Sequence, residues 1–265
     1  MVVKQRPKNT SGFRKYLFLA IIVIAACVFI FSGIKLLTIV SGYKKGSDVY
    51  KQIEDLSGKT AVEPASNGNA DSPKTVFFDV PALKALNSDT KGYLYAEDVL
   101  SYPVVQCDNN SYYLEHLFDG TPNSCGCLFI DSAIPEAFDA QNCIIYGHDM
   151  KDGSMFASLH YYGDANFYNE HKEFHVFTEE HHYVYKVMSA FVTNLDGIVY
   201  RTSFSSDEDF VNFLYTVAGA CPYETDYGEL TADRKVITMS TCVGNDDDHR
   251  FVVVAIRDRE ITEES

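Results

Sequence analysis

Positive charge is scarce in this chain. Its 265 residues carry 22 Lys+Arg against 37 Asp+Glu, a formal net charge of −15. That balance excludes a general nucleic-acid binder, which needs a basic face for phosphates. Signals for a metal hydrolase are missing too. No pair of the eight histidines has HExxH spacing, and no CxxC pair exists for zinc. There is no internal repeat. A hydrophobic content of 46% with 14% aromatics excludes a disordered chain. The length suits one domain with attachments, or two small domains.

Acid is absent from one region only. Residues 1–42 hold six bases (Lys4, Arg6, Lys8, Arg14, Lys15, Lys35) and no Asp or Glu. Removing those six leaves 16 bases against 37 acids, a balance of −21 for the rest. A basic head on an acidic body is the pattern of a membrane topology signal in front of an exported domain.

The 18 residues from Leu17 to Ile34 carry no charge and are mostly large and apolar; Leu36, Leu37, Ile39 and Val40 follow a single Lys35. About 20 residues of helix span a hydrocarbon core, and Lys35 can snorkel to the headgroups. The five bases before Leu17 then stay cytoplasmic, and the body lies outside. A cleaved signal peptide would have a shorter apolar region and a small-residue cleavage site. Ile24-Ala25-Ala26-Cys27 resembles a lipobox, but Val28-Phe29-Ile30-Phe31 continue the apolar run where a lipoprotein turns polar. An uncleaved signal anchor is therefore the expectation. The predicted organisation is a cytoplasmic basic segment (1–16), a transmembrane anchor (17–40), an N-terminal helix and linker (41–82) and a catalytic domain (83–265).

The seven cysteines are Cys27, Cys107, Cys125, Cys127, Cys143, Cys221 and Cys242. An odd count outside the cell implies at least one free thiol. Cys125-Gly126-Cys127 is too close for an ordinary disulfide. Most of these cysteines read as small buried apolar residues.

Ser47–Leu56 is predicted as a short helix with Val49, Ile53 and Leu56 on one face and Gly58 as its stop. Residues 59–75, rich in Ser, Asn, Pro and Gly, read as a linker. A helix over Pro81–Leu86 follows. Beyond Gly92 the texture becomes β-like. The predicted strands are Tyr93–Tyr95, Tyr102–Gln106, Cys127–Ile130, Cys143–Tyr146, His175–Thr178, Tyr183–Val192, Lys235–Thr241 and Phe251–Arg257. Eight short strands favour a barrel or sandwich. Two helices interrupt them, one over Met155–Tyr162 and one opened by a capping box, Ser205-x-x-Glu208.

Two strand ends draw attention to chemistry. In Lys235–Thr241, alternation puts Val236, Thr238 and Ser240 on one face and Ile237, Met239 and Thr241 on the other. Cys242 stands where that strand gives way to a polar loop, and Arg250 opens the next apolar strand. A hairpin would set the two at the same end of neighbouring strands. An Arg there would lower a thiolate's pKa and offer donors to an oxyanion, or simply anchor the Asp-rich loop. His148 ends another strand, after Gly147. His171, His175, His181 and His182 sit in polar surroundings and read as solvated. Asp149 directly follows His148 and points away from it on an extended chain, so it is not expected to orient that imidazole. Asp246-Asp247-Asp248 read as a solvated loop beside Cys242.

Asn142-Cys143-Ile144-Ile145-Tyr146-Gly147-His148, and Thr238-Met239-Ser240-Thr241-Cys242 followed by Arg250, resemble the two signatures of sortases. These are membrane-anchored cysteine transpeptidases of Gram-positive bacteria. His148-Asp149-Met150-Lys151-Asp152-Gly153-Ser154-Met155-Phe156 resembles class B sortases in particular. So do Tyr102-Pro103-Val104-Val105-Gln106, Tyr112-Tyr113-Leu114 and the helix between Ser205 and Gly219. The resemblance runs from about Leu83 to Arg257. Met239 departs from the usual Leu, and Tyr93 stands where the family often has Trp; the chain has none.

The resemblance implies an all-β fold: a closed eight-stranded barrel with N-terminal helices and an extra helix before the cysteine strand. It implies Cys242 as nucleophile, His148 as general acid/base and Arg250 as the substrate- and oxyanion-stabilising cation. Val243 supplies a candidate second donor through its backbone N–H. Asn110, Leu114, Tyr200, Ser240 and Thr241 are implied to line a peptide groove. No cofactor or metal is implied. The implied partners are surface proteins bearing a C-terminal sorting signal and a peptidoglycan amine, with the membrane held through the N-terminal helix. A pilin-polymerising sortase is the alternative function. A papain-like peptidase is disfavoured, since there the Cys precedes the His and a Cys-Gly-Ser-Cys-Trp signature is expected. A non-catalytic binding module is disfavoured by retention of all three residues.

Overall fold

The computed structural model describes residues 10–58, 60–62, 75–244 and 246–262. The chain forms two compact units, Met1–Lys45 and Gly46–Ser265. In the first, helix α1 (Thr10–Leu56) begins, and side chains from Tyr16 to Val40 are exposed all round. Among the described residues this is the one helix long and apolar enough to cross a membrane.

In the second unit, the segment expected as a separate helix over Ser47–Leu56 is the end of α1, because no proline breaks the backbone ladder before Gly58. Its buried stripe also differs from the expected one. Gly46, Tyr50, Ile53 and Ser57 face inward, whereas Leu56 is 59% exposed. The Tyr50 hydroxyl donates to the Gly126 carbonyl at 2.5 Å, and this anchor sets the helix rotation. The stretch read as a linker lies largely outside the described residues. Its ends are strands β1 (Thr60–Val62) and β2 (Thr75–Phe77), which pair antiparallel. Helix α2 (Val80–Leu86) follows, capped by the Asp79 carboxylate with proline in its first turn.

All eight predicted barrel strands are present, with ends adjusted by a few residues. They are β3 (Thr90–Ala96), β4 (Leu100–Val105), β5 (Leu128–Ile130), β6 (Asn142–Tyr146), β7 (Glu173–Phe177), β8 (His182–Asn194), β9 (Val236–Val243) and β10 (Asp246–Glu260). They close in the order β10-β8-β7-β3-β4-β5-β6-β9. Two pairs, β4/β5 and β6/β9, are parallel, and the rest are antiparallel. The loop expected between β9 and β10 is short, because β10 already starts at Asp246 opposite Val243.

Helix α3 (Ala165–Glu170) was not expected. The predicted helix over Met155–Tyr162 is instead a 3-10 helix, Ala157–Gly163, starting after Met155, whose positive φ of 56° is incompatible with helix. Helix α4 (Asp207–Ala218) carries its cap one residue later than expected: Ser206 accepts from the Asp209 amide. The shift is fixed by Asp209, whose carboxylate takes both Arg201 guanidinium nitrogens, at 3.0 and 2.6 Å.

The packing of α4 explains why β9 is buried on both faces. Phe210, Phe213, Leu214 and Val217 lie against Val236, Val252, Val254, Ile256 and Met188 on the outside of the barrel wall. Ile237, Met239 and Val253, on the opposite face, fill the interior. Each such side chain contributes roughly 1.5–3 kcal/mol of burial. The outer layer therefore holds rigid the strand that ends at Cys242.

Candidate active site

Register brings the predicted residues together. Cys242 on β9 is the Cα partner of Arg250 on β10. Arg257 N donates to Lys235 O at 2.8 Å, so Lys235/Arg257 is a hydrogen-bonded pair. The register runs unshifted from Val236/Ile256 to Cys242/Arg250. Counting along an antiparallel ladder, Cys242/Arg250 is a non-hydrogen-bonded pair, the kind whose Cα atoms lie about 4.5 Å apart with side chains on one face.

On the other side of β9, β6 runs parallel, with Ile144 beside Thr238 and Tyr146 beside Ser240. Gly147 N continues the ladder to Ser240 O at 3.2 Å. Two residues further along each strand come His148 and Cys242. The three residues thus stand at the same end of three adjacent strands, β6-β9-β10.

Two glycines make room for this. A Cβ on Gly147 would sit 2.4 Å from Leu128 Cδ2 and 2.7 Å from Phe156 Cδ2. At Gly126, where φ is +61°, a Cβ would meet Tyr113 O at 2.5 Å and His148 Cδ2 at 3.0 Å. Gly126 therefore lets the 3-10 turn Tyr112–Leu114 close on the imidazole. His148 Nε2 lies 2.7 Å from the Leu114 carbonyl oxygen. A carbonyl only accepts, so Nε2 carries the hydrogen and Nδ1 is left as the basic atom of the neutral ring.

Ser240 continues the outward row of Cys242. Its hydroxyl is 2.8 Å from the Tyr200 hydroxyl, and the Tyr200 ring stacks on Tyr146 at 6.5 Å. Burial raises the Tyr200 pKa above its ordinary value, opposed by the Ser240 bond and the Arg250 charge, while Cys242 adds to the rise. Below the row, Asn142 is fully buried; it donates to Val199 O and Arg201 O, both at 2.8 Å, and accepts from Thr238 at 2.8 Å. It ties β6, β9 and the Tyr200 turn into one unit.

Not every predicted lining residue joins the row. Thr241 is buried on the opposite face, and its hydroxyl has no partner among the described residues. Leu114 is half-exposed and reaches the site through its carbonyl. Asn110 uses its side-chain oxygen to accept the Ser132 amide at 2.8 Å. Two cavities, of about 380 and 330 Å³, are lined by other residues: Asp89, Cys107 and Tyr112 in one, Tyr50, Ser101 and Cys125 in the other.

Comparison with known proteins gives the family. The sortase domain family matches residues 99–258. The sortase B of Listeria monocytogenes is 32% identical over 206 residues, covering 76% of this chain and 83% of that one. This chain belongs to the sortase family, with class B relatives. It is accordingly a cysteine transpeptidase. A solved sortase B from Bacillus anthracis covers 83% of this chain and 100% of its own, at 28% identity and a TM-score of 0.70. A Staphylococcus aureus sortase B, solved as a substrate complex, covers 68% of this chain and 85% of its own, at 29% identity and a TM-score of 0.63.

Among the thiols of this sortase, burial raises Cys125 to about 11, Cys127 to about 12 and Cys143 further still. Those three are disfavoured as thiolates. Cys242 is half-buried and free. Asp149 turns away from His148, as expected: its Oδ2 accepts Gly244 N at 3.2 Å and lies 3.4 Å from His160 Nε2. His160, on the 3-10 helix, was not anticipated; its Nε2 also lies 3.0 Å from Cys242 O. Nothing in the local sequence marks it, since the contact spans 82 residues. The Asp246–Asp248 stretch is exposed, and Asp246 is committed to His249, its pKa lowered by that bond and by the Asp248 amide.

Proposed function

We propose that this sortase cleaves a C-terminal sorting motif of the Pro-x-Thr type after Thr and joins the surface protein to a peptidoglycan amine. The observation that carries the reading is the common level of His148, Cys242 and Arg250 across three adjacent strands. The Cys242 thiol gives its proton to His148 Nδ1, and the resulting thiolate attacks the Thr carbonyl carbon as the C–O π pair moves onto oxygen. Arg250 holds that oxyanion; Val243, expected as a second donor through its N–H, instead faces Asp246 in the β9–β10 pairing. Arg250 Nη1 already donates to Asp247 O and His249 O, at 3.1 and 2.7 Å, which fixes the guanidinium while other N–H groups remain for substrate.

Collapse of the intermediate breaks the C–N bond, and His148 Nδ1 gives its proton to the departing amine. An incoming amine then loses a proton to the same atom and attacks the thioester, releasing the Cys242 thiolate. Tyr200 and Ser240 beside Cys242 support a groove for the motif. That the Staphylococcus aureus relative is solved as a substrate complex supports a substrate-binding groove here.

The apolar helix supports a single-pass anchor, with residues 1–16 in the cytoplasm, 17–40 in the membrane and the body outside. The test is a Pro-x-Thr peptide library offered to the full chain in detergent micelles with a diamine acceptor. Cleavage after Thr and an amine-coupled product are expected, with both lost in Cys242→Ala and His148→Ala. Cleavage at another bond, or unchanged turnover in Cys242→Ala, overturns the reading.

A further inference from the structure

His160 has no part in that chemistry, yet it grips the backbone of the nucleophile. Its Nε2 lies 3.0 Å from the Cys242 carbonyl oxygen and 3.4 Å from Asp149 Oδ2. The carbonyl oxygen only accepts, so Nε2 carries the hydrogen and turns it towards both oxygens. The same Asp149 oxygen accepts the Gly244 amide at 3.2 Å. One imidazole nitrogen and one carboxylate oxygen thereby hold the backbone on both sides of Val243.

We propose that His160 and Asp149 are positioning residues that lock the backbone on both sides of Val243 and so hold Cys242 level with His148 and Arg250. This rests on acyl transfer at Cys242. The Cys242 C=O and the Val243 N–H belong to one planar trans peptide and point in opposite directions. Even-numbered positions of β9 bond towards β6, as Ser240 O does to Gly147. Cys242 O follows that parity, and His160 takes it where β6 has ended. The Val243 N–H is then directed to the β10 side, where Val243 faces Asp246 and closes the turn.

Asp149 directly follows His148, so its hold on Gly244 ties the acid/base segment to the turn after the nucleophile. The His160 ring packs against Phe251 at 4.9 Å, which keeps the imidazole in place.

A purely structural role is separated from this one by two readouts on the full chain in detergent micelles. The first is turnover of the best-cleaved fluorogenic Pro-x-Thr peptide. The second is the rate of Cys242 alkylation by iodoacetamide, followed by mass spectrometry. His160→Leu removes the donor, and its kcat is expected to fall roughly 10- to 100-fold, less than the loss of a whole oxyanion donor. KM is expected to stay within about two-fold, because His160 and Asp149 hold backbone rather than substrate. Alkylation stays at the parent rate. His160→Gln, which keeps an N–H near Nε2, restores most of kcat.

Full kcat in His160→Leu overturns the clamp. So does a loss that His160→Gln does not rescue and that slows alkylation equally, since that marks packing alone. Peptide cleavage that survives Cys242→Ala overturns the acyl-transfer reading itself, whatever His160 does.

Discussion

Mild acid is expected to loosen the barrel at the β7–β8 corner. His175 Nδ1 lies 2.9 Å from His182 Nε2. His182 is buried, stacks on Phe177 at 4.0 Å and meets the edge of Phe77 at 6.1 Å. Burial, then His175, then Arg259 lower the His182 pKa from 6.5 to about 4. His175 is lowered too, first by burial, with Arg259 adding and Glu173 and Glu97 opposing.

The unfolded chain therefore binds a proton near pH 6.5 that the folded chain refuses until about pH 4. Stability is complete above 6.5, falls between 6.5 and 4, and levels off below. The drop in pKa corresponds to about 3 kcal/mol at most. Asp246 and Asp258 are lowered from 3.8, so their contributions are lost at still lower pH and leave this window clear. Urea midpoints of the full chain in detergent, followed by tyrosine fluorescence from pH 7.5 to 4, measure the slope. A flat profile over that window, or the parent slope persisting in His182→Gln, refutes the reasoning.

Other expectations follow from the same geometry. Gly147→Ala drives a methyl into Leu128 and Phe156, and is expected to cost roughly 1–3 kcal/mol by overpacking and to lower turnover by displacing His148; denaturation and peptide cleavage check both. Asn142→Ala strips partners from Val199 O, Arg201 O and Thr238, and is expected to cost about 3 kcal/mol in urea unfolding. Arg250→Lys keeps the charge but loses the planar fork, and kcat/KM is expected to fall roughly 100-fold, read in the peptide assay. Phe213→Ala empties the layer between α4 and the strands, with an expected loss of about 3–5 kcal/mol by the same denaturation.

The sequence made the barrel legible because its strands are short apolar runs cut by Gly, Pro, Asn and Asp. The neighbourhood of Cys242 and Arg250 followed from two such runs with one polar turn between them. Other features were decided by contacts distant in sequence. Ser205-x-x-Glu208 has the capping-box spacing, yet Ser206 is the cap, because Arg201 holds the Asp209 carboxylate. His182 and His175 looked solvated among polar neighbours, but the β7–β8 hairpin folds them together under Phe177. Alternation alone leaves one face of β9 to solvent, and α4 covers it. His160 meets Cys242 only because a 3-10 helix crosses the end of the strand. The roles of His148, Cys242 and Arg250 came from resemblance, and the parallel β6/β9 register gives that assignment its geometry.

The central claim is that acyl transfer passes through the Cys242 sulfur. The direct measurement is intact and peptide-level mass spectrometry of the full chain, quenched in acid during turnover of a Pro-x-Thr peptide without added amine. The account predicts an adduct equal to the peptide's N-terminal portion ending in Thr, carried by the fragment containing Cys242 and released by hydroxylamine. Turnover by the parent protein with no adduct, or an adduct on any other cysteine, contradicts it.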